Sequence, residues 1–140
     1  MSDDPAKWHT DGEVAYGSAR IQQLIDGCPF NAWMGLRVIA ARAGAVTLAV
    51  DWRPEFLSNE RRQSAHGGIL ASIVDAAGAY ALATQSGEGV PTVDLRVDYH
   101  RVATPGALRA EAEVISRGGT LATADARIFA SDGKLVASGR

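Results

Sequence analysis

The chain of 140 residues contains one cysteine, Cys28, so no internal disulfide holds it together. Cys28, His9, His66 and His100 show no metal-ligand spacing, and no metal or other bound cofactor is expected. A cationic excess is also missing, because 14 Lys and Arg stand against 16 Asp and Glu, for a net charge of −2 and a pI near 5.9. Without a basic stripe, a nucleic-acid partner is not expected. The longest apolar stretch is interrupted by Asp75, and the N-terminus has no basic-then-apolar signal pattern. These absences predict a soluble, cytoplasmic protein with no membrane partner. The 46% of hydrophobic residues is enough for one real core at this length. The expected organisation is a loose N-terminal segment over 1–17, where Trp8 is a candidate for docking, and one domain over 18–140.

Charge is scarcest between Arg62 and Glu88, where Asp75 is the only Asp, Glu, Lys or Arg. His66 to Thr84 reads as one long helix entered through Gly67-Gly68, apolar nearly all round and kept thin by Ala76, Ala77, Gly78 and Ala79. Such a helix belongs inside a protein, wrapped by other elements. Asp75 sits in mid-helix, where Asp has poor propensity and cannot act as an N-cap. It is either a structural carboxylate paired to a neighbouring strand or a catalytic one, since an apolar setting suits a carboxylate to general-base work. At the helix mouth, Gly67 and Gly68 make a tight turn or expose unpaired N–H groups that polarise a carbonyl.

Before this helix, Ile21, Leu24 and Ile25 fit a short amphipathic helix capped at Ser18 and ending near Gly27. Phe30 to Trp33 lead into strands over 35–42 and 45–52 that turn at Ala43-Gly44, and 54–65 reads as a polar loop. After it, Val93, Leu95, Val97 and Tyr99 alternate with polar residues as the clearest strand of the chain, followed by strands over 108–116, 120–130 and 135–138. Tyr80 and Tyr99 are read as core residues with polar tips. The order predicts an α+β fold, an antiparallel sheet curled around one long central helix.

Three runs carry a resemblance: Ala65-His66-Gly67-Gly68 through Asp75, Val93-Asp94-Leu95-Arg96-Val97-Asp98-Tyr99, and Asp132-Gly133-Lys134 through Gly139. Together they resemble the hot-dog-fold acyl-CoA thioesterases of the phenylacetate-degradation, PaaI-like type, over roughly 30–140. The resemblance implies Asp75 as base or nucleophile, the Gly67 N–H as the oxyanion contact and Thr92 as a hydroxyl that helps place the water. Coenzyme A then enters as part of the substrate. An Asn or Gln usually stands six residues before the His to contact the thioester carbonyl. Here Glu60 holds that spacing, with Asn59 one residue earlier and Gln63 three residues before His66. His66 either carries a proton or orients the loop, Gly68 adds a second amide, and Arg101 either faces outward or meets a phosphate of coenzyme A. Other readings are a non-catalytic acyl-CoA-binding module and a hot-dog hydratase or dehydratase, for which no second acid/base pair is evident.

Gly67 and Asp75 are eight residues apart, about 12 Å along one helix, so one carbonyl carbon cannot meet both. A shared site between two chains is therefore expected, in a homodimer or a tetramer of two such dimers.

Overall fold

The computed structural model describes residues 12–140, so Trp8 and His9 lie outside the described residues. The first helix, α1 (Ser18–Gly27), buries Ile21 and Ile25, one turn apart, completely. Its cap is Gly17, whose carbonyl accepts from the Ile21 N–H, rather than Ser18. A second helix, α2 (Pro29–Met34), replaces the expected strand lead-in: Pro29 opens it and Gly35, at φ +74°, stops it. The strands β1 (Arg37–Arg42) and β2 (Ala45–Val50) then turn at Ala43-Gly44 as expected.

The segment expected to be a polar loop is more ordered than that. A 3-10 turn over Pro54–Phe56 leads into a small hairpin of β3 (Leu57–Asn59) and β4 (Ser64–Ala65). Phe56 anchors it, wholly buried and edge-on to Trp33 and Trp52. The central helix α3 runs Gly67–Ser86 and ends on Gly87 at φ +67°. Four strands follow: β5 (Val97–Tyr99), β6 (Leu108–Arg117), β7 (Ala122–Phe129) and β8 (Leu135–Gly139).

Six strands make one antiparallel sheet in the order β1-β2-β6-β7-β8-β5. Register shifts in the β1–β2, β6–β7 and β7–β8 pairs supply local bends of the kind that let a sheet curl. The sheet packs on α3, whose Ile73, Ala77 and Ala81 meet a core that includes Leu48, Val50 and Ile128. α3 is long and apolar enough to cross a membrane by composition, but more than half of it is buried against the rest of the chain. At Gly139 the layers meet so closely that a Cβ would lie 2.5 Å from the Arg96 carbonyl oxygen and 2.6 Å from Val74 Cγ1.

The expected strand over 93–100 is mostly not a strand. Only Val97–Tyr99 forms a ladder with β8, extended by reciprocal backbone bonds between Arg96 and Arg140. The alternation there does not mark a core face, because Val93 is 76%, Tyr99 54% and Val102 63% exposed. β5 is the edge of the sheet: Val97 packs against the core, whereas Tyr99 and the flanking Val93 and Val102 face outward.

Candidate active site

Asp75 lies half-buried midway along α3, and the chain entering β5 crosses over it. There Thr92 Oγ1 donates a hydrogen bond of 2.6 Å to Asp75 Oδ1. One carboxylate oxygen is thus held by a hydroxyl while Oδ2 is left available as an acceptor. The pair opens into a cavity of about 330 Å³ whose walls include Gly78, Leu82, Leu121 and Ala124. Gly78 borders this space, and a Cβ there would make an ordinary contact with Ala124 Cβ at 3.7 Å. A carboxylate, a hydroxyl and apolar walls can activate water beside an apolar acyl group.

The mouth of α3 is a second assembly. His66 is the N-cap, extended at φ −63° and ψ 132°, and its Nδ1 accepts from the Gly68 N–H at 2.9 Å. Gly68 is therefore occupied, which corrects the expectation of two open amides, and the geometry has His66 shaping the helix entrance. No group among the described residues accepts from the Gly67 N–H. Tyr99, expected in the core, is instead exposed and donates from Oη to the Gly67 carbonyl at 2.7 Å. A Cβ on Gly67 would come within 3.2 Å of that hydroxyl. Nothing local in the sequence links Tyr99 to Gly67, because the contact spans two elements. Tyr80 is buried as expected, accepting from Asn31 Nδ2 at 2.8 Å, and burial pushes its phenol pKa up.

Asn59, Glu60 and Gln63 sit together at the tip of the β3–β4 hairpin. Asn59 Oδ1 accepts from the Arg61 and Arg62 N–H groups at 3.0 and 3.1 Å, and Gln63 Nε2 donates to the Glu60 carbonyl at 2.6 Å. These two amides build the turn. Gln63 is in the left-handed region at φ +49°, the only such residue besides glycines among those described. Arg101 is exposed just beyond β5, within electrostatic reach of Asp132 in the β7–β8 turn. The Asp132 carboxyl is held below the usual carboxylate range, first by the Lys134 N–H.

The fold thus brings Asp75 and Thr92 together, brings His66, Gly67, Gly68 and Tyr99 together, and leads the hairpin tip into the mouth. It does not bring the mouth into the cavity, whose walls include none of Asn59, Glu60, Gln63, His66, Gly67, Gly68 or Arg101. Among the described residues, no group of three His, Cys, Asp or Glu could hold a metal ion.

Comparison with known proteins agrees with this architecture. Residues 63–137 match the family model of the thioesterase superfamily, spanning α3 and the four strands after it. A protein of the thioesterase superfamily solved by X-ray crystallography is similar at 51% identity and a TM-score of 0.83, over 85% of this chain and 90% of that one. The Escherichia coli PaaI protein from the phenylacetic acid degradation operon is similar at 26% identity and a TM-score of 0.78, over 88% and 91% of the two chains. A Halobacterium salinarum protein that carries an esterase name is 31% identical over 113 residues, 77% of this chain and 74% of its own. On its family match and its sheet-wrapped helix, the chain belongs to the thioesterase superfamily as a PaaI-like hot-dog hydrolase.

Proposed function

We propose that the chain hydrolyses acyl-CoA thioesters to a free acid and coenzyme A, in sites shared between two copies of the chain. The observation that carries this reading is the Thr92–Asp75 pair opening into an apolar cavity, with the Gly67 N–H unengaged elsewhere. In the proposed step the Gly67 N–H donates to the thioester carbonyl oxygen as it gains negative charge, worth roughly 3 kcal/mol of barrier. Asp75 Oδ2 takes a proton from water that adds to the carbonyl carbon, or adds directly to form an anhydride that water then opens. Either way the C–S bond breaks and the thiolate leaves with the carrier; the acid keeps the water oxygen on the first route, and on the second where water opens the anhydride at the acyl carbon. Thr92 fixes the carboxylate so that its free oxygen faces the substrate.

The shared site rests on geometry. Eight residues of helix separate Gly67 from Asp75 by about 12 Å, more than one carbonyl can bridge. The edge strand β5, with Val93, Tyr99 and Val102 exposed beside it, supports a two-fold pairing that sets the mouth of one α3 against the Asp75 of its partner.

Co-refolding of two inactive variants tests the reading. Asp75→Asn removes the base, and Gly67→Pro removes the N–H at the first helical position, where proline is favoured. The extended His66 backbone suits a residue before proline, and the exposed Tyr99 ring, 3.2 Å from the new Cβ, has room to give by the few tenths of an ångström required, so this variant is expected to fold. Random pairing makes about half the dimers mixed, each with one intact site of two, so about a quarter of the wild-type turnover of an acyl-CoA is expected to return. Folded mixed dimers without recovery would exclude the shared site. Tight acyl-CoA binding by the wild type without turnover would favour a binding module instead.

A further inference from the structure

We infer that the tip of the β3–β4 hairpin is a docking point for the phosphate esters of the carrier, through Arg61 and Arg62; this rests on the thioester reading above. The tip is over-determined for a surface turn. Asn59 Oδ1 binds two successive backbone N–H groups, Gln63 Nε2 closes on the Glu60 carbonyl, and Gln63 accepts a left-handed backbone to allow it. Strain of this kind persists where surrounding contacts enforce it, and it gathers at ligand clamps. What the turn presents is two adjacent arginines, both exposed, whose guanidiniums meet no carboxylate among the described residues. Guanidinium forks match phosphate oxygens in geometry as well as charge.

The spacing to the mouth fits the carrier. The hairpin is closed at its base by His66 N–H to the Phe56 carbonyl, and its strands pair Leu57 with Ala65 and Asn59 with Ser64. The tip therefore stands three to four extended residues, roughly 10–14 Å, from the Gly67 amide. The pantetheine arm between a thioester sulfur and the first phosphate has the backbone length of about four residues, or ~14 Å extended. A thioester carbonyl at Gly67 thus puts its carrier's phosphates at the tip. Glu60 shares the tip and opposes the same phosphates, so it limits the attraction.

The test compares an acyl-CoA, the same acyl-4′-phosphopantetheine and the same acyl-pantetheine on the wild type and on Arg61→Ala/Arg62→Ala. Expected is a KM for acyl-CoA raised at least about tenfold and stripped of most of its salt dependence, with acyl-pantetheine kinetics unchanged. Arg61→Lys/Arg62→Lys should recover part of the loss. A matching loss with acyl-4′-phosphopantetheine assigns the site to the arm's own phosphate, and none assigns it to the nucleotide's. Parallel increases for acyl-CoA and acyl-pantetheine, or no change in either, would overturn the inference. Calorimetry with coenzyme A separates the two proposals: binding that the double variant loses upholds the phosphate dock even without turnover, whereas absence of binding to the wild type removes it.

Discussion

Replacing Asp75 with asparagine changes one atom at the point where the chemistry is proposed. Thr92 Oγ1 donates to Asp75 Oδ1 at 2.6 Å, and the asparagine carbonyl oxygen accepts the same bond, so the NH2 group takes the place of Oδ2. An amide nitrogen cannot accept a proton from water or attack a carbonyl. The cost to folding is the difference between a hydroxyl bonded to a charged and to a neutral acceptor, about 1 kcal/mol, a few degrees in Tm for a domain of this size. The cost to catalysis is the whole general-base contribution, at least about a hundredfold in kcat or roughly 2.7 kcal/mol of barrier. Thermal melting measures the first quantity and steady-state release of coenzyme A thiol the second. Because KM depends on groups that do not involve Oδ2, it should stay within about twofold. Retention of most activity would refute the mechanism. A large fall in Tm with normal turnover would show that the carboxylate is structural.

Tyr99→Phe removes the hydroxyl that holds the Gly67 carbonyl, and the expected effect is a several-fold fall in kcat with little change in Tm, read by the same two assays. Gly78→Leu places a side chain at the wall of the 330 Å³ cavity. It should lower kcat/KM for longer acyl chains far more than for acetyl, in a turnover screen across chain lengths. Gly139→Ala forces a Cβ to within 2.5 Å of a backbone oxygen, so denaturant melts should show a loss of about 1–3 kcal/mol or more. The Arg140 guanidinium, bonded at 2.7 Å, holds the Asp125 carboxyl below its ordinary pKa. A depressed folded-state pKa gives stability that is present above the unfolded carboxylate value near 3.9 and lost as pH falls below it. Asp125→Asn should therefore flatten the acid limb of a Tm-against-pH curve slightly, because the pair is exposed.

Local signals in the sequence determined the central helix with its lone Asp75, the hairpin at Ala43-Gly44 and the antiparallel order of strands after the helix. Periodicity, caps and turn residues act over a few positions, and the three runs that resemble the PaaI-like thioesterases lie within these elements. The second helix was also legible, in Pro29 and Gly35, but two punctuating residues around six carry little weight against a neighbouring strand pattern. Tertiary structure alone decided the rest. Of the alternating apolar residues from Val93 to Tyr99 only Val97 packs against the core while Val93 and Tyr99 face outward, and periodicity cannot distinguish an exposed seam from a core face. Phe56 is buried because Trp33 and Trp52 close over it from separate elements. The Thr92–Asp75 bond joins residues 17 apart and the Tyr99–Gly67 bond residues 32 apart. Neither bond has a local signature, because each exists only once the sheet has wrapped the helix and brought β5 across it.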